Sequence, residues 1–255
     1  MKRDTQLLIW LFLTALVCSC STFSSHEDFV DEQQEKTKVV VVTAGHDFER
    51  EAFFAIFDSF DNVQYVEAEQ KDDSEIFEDI AGWDYDVIVL YNMTQKISPK
   101  RQANFKKLLD KGVGLVGLHH SIANFQDWPE YRNIIGAKYY LKATTENGVT
   151  YPRGEYEHDV DINVYVADTT HPVTRGLSDF VVNDETYSKW TFDSGNHVLL
   201  TTDHPASNRQ LAWVRNYRNA RVCFIQLGHG PRGYANPDYR RLIKQAIDFC
   251  AGKDD

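Results

Sequence analysis

Residues 38–43 read KVVVVT, four consecutive valines between a lysine and a threonine. β-Branched side chains suit a pleated strand. A strand with one wet face alternates apolar and polar residues. An unbroken apolar run instead marks a strand covered on both faces, the usual state in a parallel sheet. Working outward, Val63–Val66 reads as a short strand, and DVIVLY (86–91) and GVGLVGL (112–118) repeat the buried pattern. Helical spacing fills the gaps. Phe48–Phe60 carries apolar residues at that spacing, and Ser74–Trp83 reads as a helix opened by a serine cap. Ser98-Pro99 sets a cap before a proline at the first helical position, and that helix runs through Phe105, Leu108 and Leu109 to Gly112. Strands alternating with helices predict an α/β fold, a doubly wound, mostly parallel sheet with helices on both faces.

From about Gly136 to Pro205 the pattern changes. Strand-like pieces at Lys138–Lys142, Asp161–Val166, Val181–Val182 and His197–Thr202 alternate with turns and predict an antiparallel β extension. Leu211–Tyr217 and Arg221–Leu227 read as a hairpin turning at Arg218-Asn219. A closing helix from Pro237 to about Cys250 lines up Tyr239, Leu242, Ile243, Ala246, Ile247 and Cys250 on one stripe. Cys223 and Cys250 lack zinc-motif spacing and are expected as two buried free thiols.

The chain has 255 residues, 42% hydrophobic and 25% charged, with a net charge of −11. The acid excess is spread along the chain and serves solubility. It argues against a nucleic-acid partner, which needs clustered Lys and Arg. Residues 1–19 have a basic start, an apolar run from Leu7 to Val17 and then small residues, as a secretory signal does. Val17-Cys18-Ser19-Cys20 resembles a bacterial lipobox, with Cys20 as the lipidated residue. Residues 20–37 are polar and aperiodic and read as a flexible tether, leaving 38–251 as a single domain. The expected location is an exported, membrane-anchored lipoprotein, periplasmic or outer-membrane associated, touching the membrane through its lipid alone.

Ligand sites in doubly wound sheets lie beyond the carboxyl ends of the strands. His46 follows the first strand, His119 and His120 the fourth, and His229 the late strand RVCFIQL. Imidazoles there can bind a metal, move protons or hold a polar ligand. No HExxH pattern accompanies them. Adjacent residues of an extended segment point to opposite sides, so one of His119 and His120, favoured as His119, is expected to face the site. Asp184-Glu185 in NDETYSKW, beside Tyr187 and Trp190, pairs carboxylates with rings, a combination that binds sugars or supplies a base. Glu155 and Glu157, beside His158, carry a weaker version of the same signal.

Several motifs in register resemble the trehalose-utilisation (ThuA-like) family: GLHHS (117–121), DWPEY (127–131), IGA (135–137), His158-Asp159, HPVTRGL (171–177), DETY (184–187) and LGHG (227–230). The resemblance spans residues 38 to about 251. It implies the flavodoxin-like fold of the class I glutamine amidotransferases. It also implies that His119 stands where an amidotransferase carries its nucleophilic cysteine, and His229 where one carries its histidine. Imidazole does not replace a thiolate in forming a thioester, so a glutaminase is not expected.

The resemblance further implies work on disaccharides, including 3-keto-glycosides. The leading expectation is a hydrolase, lyase or isomerase acting on a sugar or keto-glycoside. His119, Glu185 and His229 are its catalytic candidates, and His46, Asp184, Tyr187 and Trp128 its substrate-binding candidates. His119, His158 and His229 are candidate ligands for a divalent metal such as zinc; no nucleotide cofactor is expected. The alternative is a non-catalytic carbohydrate-binding lipoprotein that supports neighbouring enzymes.

Overall fold

The four valines of residues 39–42 are fully buried, and they divide between two cores. Val39 and Val41 join one apolar cluster, Val40 and Val42 the other. The computed structural model describes residues 35–71 and 73–254, so the expected signal segment, Cys20 and most of the tether lie outside the described residues.

The strands, in chain order, are β1 (Thr37–Ala44), β2 (Val63–Glu69), β3 (Val87–Asn92), β4 (Gly114–Leu118), β5 (Ala137–Lys138), β6 (Thr144–Glu146), β7 (Val149–Tyr151), β8 (Glu155–Val166), β9 (Phe180–Ser188), β10 (Thr191–Phe192), β11 (His197–Thr201), β12 (Gln210–Tyr217) and β13 (Ala220–Ile225). The helices are α1 (Arg50–Phe57), α2 (Pro99–Asp110), α3 (Pro129–Ile135), α4 (Pro231–Ala235) and α5 (Pro237–Cys250). Nine strands form one sheet in the order β2-β1-β3-β4-β13-β12-β11-β8-β9. The first five run parallel, in the order expected of a flavodoxin-like sheet. The remaining four are antiparallel and make the predicted extension. Side chains of α1 and α5 pack in one cluster, those of α2 and α3 in the other.

The closing helix and its buried stripe match the expectation residue for residue. Cys223 and Cys250 are free, buried thiols, and burial pushes the Cys250 thiol up to about 12. The hairpin turns at Arg218-Asn219, with Tyr217 opposite Ala220.

Other expectations need correcting. Ser74–Trp83 forms no helix beyond a 3-10 turn at Glu75–Phe77. Ser74 itself is left-handed, and its hydroxyl donates to the Lys96 carbonyl rather than capping. The Asn104 amide takes the Phe77 and Glu78 carbonyls, and Asp79 closes a local turn on the Ala81 N–H. These partners replace the helical hydrogen bonds. The strand expected over 138–142 ends at Lys138. The fragment expected at Val181–Val182 is the start of nine-residue β9, which takes Asp184, Glu185 and Tyr187 out of any loop and into the sheet. β8 likewise extends back to Glu155 and so contains His158.

Candidate active site

Three chain segments reach one end of the sheet and fix the chemistry there. β4 stops at Leu118. His119 turns left-handed, with φ 46°, and opens a 3-10 turn. The alternation of an extended strand therefore does not apply to the histidine pair. Both rings enter the same cluster, 5.5 Å apart edge to face. β13 runs out into Gln226, Leu227, Gly228 and His229. Gly228 has φ 106°, and a Cβ there would lie 1.8 Å from the Tyr239 hydroxyl oxygen, so only glycine fits. β9 delivers two carboxylates to opposite sides. Asp184 accepts from the backbone N–H groups of Gly228 (2.6 Å), His229 (2.8 Å) and Glu185 (2.9 Å). It is the tie that holds the His229 loop to β9. Glu185 points the other way, into the imidazoles.

Its carboxylate is shared. Oε2 lies 2.8 Å from His119 Nε2 and 3.8 Å from His229 Nε2, and Oε1 lies 3.4 Å from His158 Nδ1. Burial opposes the charge on Glu185, but the hydrogen bond with His119 and the neighbouring imidazoles outweigh it and hold the carboxyl below its usual range. Asp184 goes the other way. Burial raises it, against the three backbone donors. His119 Nδ1 lies 2.6 Å from the Gln226 carbonyl. A carbonyl only accepts, so that nitrogen carries the hydrogen. The Gln226 amide in turn donates to the Glu185 carbonyl at 2.9 Å, clamping both residues from behind. The Tyr187 hydroxyl lies 2.9 Å from His119 Nε2. Burial, helped by the nearby His119, lowers His229 below the ordinary imidazole range.

His46 comes from the loop after β1, where Ala44 is held at φ 102°. Its Nδ1 donates to the Asp47 carbonyl at 2.7 Å, and its ring stacks on His120 at 4.6 Å. His120 is buried between His46 and Tyr91, and among the described residues neither ring nitrogen has a hydrogen-bond partner. Burial, together with the adjacent His119 and His46, keeps it neutral.

A cavity of about 250 Å³ opens onto this cluster. His120, Glu185 and Tyr187 belong to its buried lining, with Ile122, Ala123 and Tyr139. Tyr139 and Tyr156 supply ring faces, and His46, Arg153 and His158 the basic groups.

Of the candidates read from sequence, His46, His119, His158, Glu185, Tyr187 and His229 converge here. Asp184 stands behind the cluster, with both oxygens engaged by backbone. Trp128 does not reach it. That ring packs against Phe105, Phe125 and Tyr131 in the core. Among the described residues, His119, Glu185 and His229 form a group of potential metal ligands whose atoms lie within 4.8 Å of one another, and His158 stands beside it, 3.4 Å from Glu185. His120, set second to His119 in the sequence, joins the cluster as well, whereas Gln226, Arg153 and Tyr139 were not foreseen. Of these, Gln226 had a local signal, a polar residue ending the apolar run RVCFI.

The family described as trehalose utilisation (ThuA) matches residues 22–250. A putative ThuA-like protein from Parabacteroides merdae superposes with a TM-score of 0.73 at 16% identity, covering 86% of this chain and 92% of that one. A second, from Bacteroides uniformis, gives 0.63 at 21% identity, covering 87% and 94%. A cytoplasmic protein from Salmonella typhimurium gives 0.56 at 15%, covering 84% and 98%. At these identities the likeness is one of fold. No curated protein matches the chain.

Proposed function

Because the chain belongs to the trehalose-utilisation family, and with it to carbohydrate metabolism, we propose that it is an enzyme that moves protons on a sugar or keto-glycoside seated over Glu185. One observation carries this reading: a buried carboxylate shared by His119, His158 and His229 at the end of a cavity faced with tyrosines. His158 is the proton carrier, since its side chain is 49% exposed and turned toward the cavity. Glu185 Oε1 orients it, as a carboxylate orients the imidazole in other acid–base dyads. A keto group acidifies the neighbouring C–H. His158 takes that proton, and the electron pair moves onto the carbonyl oxygen as an enediolate. Return of the proton to the other carbon gives an isomer; loss of a glycosidic oxygen at the β carbon gives elimination.

The experiment is incubation with a 3-keto-glucoside in heavy water. Deuterium uptake beside the keto group, or loss of the aglycone, is expected. His158→Ala and Glu185→Gln should lower either rate by roughly 10²–10⁴-fold. Absence of both events in the unmodified protein would sink the proposal. The ring faces of Tyr139, Tyr156 and Tyr187 also suit the second reading, a sugar-binding protein without turnover, which binding without exchange would favour. Export and lipidation belong to the same proposal and are read by fatty-acid labelling that Cys20→Ser abolishes.

A further inference from the structure

We infer that His119 Nε2, the Glu185 carboxylate and His229 Nε2 form a site for one divalent transition-metal ion. The Gln226 carbonyl fixes the hydrogen of His119 on Nδ1. In a neutral ring Nε2 is then a lone pair, and where His119 is 0% exposed it meets a carboxylate oxygen at 2.8 Å and the Tyr187 hydroxyl at 2.9 Å, whose one hydrogen serves a single acceptor. Two lone pairs that close, out of water, repel, and a cation between them relieves both.

A shared proton would serve those two atoms only. His229 Nε2, 3.8 Å from the same oxygen, would gain nothing from that proton. A metal ion uses all three. Two imidazoles and a carboxylate are a donor set that zinc, cobalt, manganese and ferrous iron accept.

The surroundings fit the same ion. A ligating imidazole normally donates its other N–H to a backbone carbonyl or carboxylate, which fixes the ring. His119 does so to Gln226 at 2.6 Å, and the Gln226 amide holds the backbone of Glu185 at 2.9 Å. The ligands come from three separate segments that are tied to one another: His119 from the turn after β4, Glu185 from β9, and His229 from the loop that Asp184 holds to β9. His229 is 31% exposed, so the site is closed on the protein side and open beside His158 and the cavity. Three protein ligands with an open position is the arrangement of a catalytic rather than a structural metal. The inference rests on the proposed function only for the ion's use there, which is to polarise the substrate carbonyl.

The test needs no substrate. The protein is freed of metal by chelation, then titrated with Co²⁺ and, separately, Zn²⁺. Metal per chain is counted by mass spectrometry, and cobalt ligation is read from its visible absorption. About one ion per chain with a cobalt band is expected. Affinity should fall at least tenfold in His229→Ala and in Glu185→Gln, and remain unchanged in His197→Ala, an exposed imidazole paired with Asp168. Circular dichroism confirms that His229→Ala folds, since that side chain is partly exposed. Failure of the unmodified protein to take up a stoichiometric ion, or wild-type affinity in His229→Ala, would overturn the inference. The two readings separate cleanly. Deuterium exchange by a protein that takes up no ion would remove the metal and keep the proton chemistry. A bound ion with no exchange on any keto-glucoside would do the reverse.

Discussion

Asp184 and Glu185 are neighbours with opposite work, and strand alternation is the reason. One faces backbone N–H groups and builds the His229 loop; the other faces imidazoles. Replacing Asp184 by Asn keeps the shape but sets an amide NH₂ against those donors. Loss of charge-assisted bonds of this kind costs about 1.5–3 kcal/mol. Urea denaturation should show that loss, together with reduced turnover from a released His229. Gly228 offers a second test at this scale. Gly228→Ala adds a Cβ on top of the Tyr239 hydroxyl, whereas Gly252→Ala, also at positive φ, meets nothing within 4 Å. The second should cost about 1 kcal/mol from backbone strain alone, and the first clearly more, on the same denaturation curves. His46, His119, Glu185 and His229 were legible as residues because polar groups stood out after apolar runs or beside rings. Which side each faced was not. His120 and Trp128 show the two errors: a turn dihedral put the first inside the cluster, and packing took the second away.

At the scale of elements, legibility followed burial. β1, β3, β4, β13 and α5 announced themselves because both faces, or one continuous stripe, are apolar. The first half of β8, EYEHD, is exposed and polar on both faces, so only its pairing with β9 makes it a strand. The bulge between Glu157 and Val160 that accompanies His158 has no sequence mark. α5 begins at Asn236, whose side chain accepts from Asp238 N–H (2.9 Å) and Tyr239 N–H (3.1 Å) and donates to the Val181 carbonyl (3.1 Å). Asn236→Ala should cost about 1–2 kcal/mol. Asn236→Asp should recover most of that, keeping the cap and losing only the tie to β9. Thermal denaturation of the two variants checks the ordering.

Across the whole molecule, acid acts on the loop that follows β8. Asp168 accepts from the N–H groups of Thr170 and His171, from the Thr170 hydroxyl and from His197. The Thr170 bonds lead in holding its carboxyl well below the usual range. His171 caps the turn that packs on α5 and is lowered by burial and by nearby His197. A lowered histidine binds its proton more readily when unfolded, so its contribution is lost as pH falls below about 6.5. A lowered carboxyl contributes above its unfolded pKa, and that is lost in turn below about 3.9. Denaturant midpoints should therefore decline from pH 7.5 to 5. His171→Asn, which keeps a capping side chain, should lessen that decline, and the share left belongs to the lowered His120 and His229.

β13 sits between β4 and β12, yet about a hundred residues separate it in sequence from β4, its parallel partner. On a ribosome adding about 5–20 residues per second, the β4 edge stays unpaired for roughly 5–20 s. It carries Leu115, Val116 and Leu118, and an open apolar edge recruits strands from other chains. Yield in a cell is thus set by how long the nascent chain waits for its central strand. Slowing translation after Leu118 should increase aggregates, and extra holding chaperone should lower them.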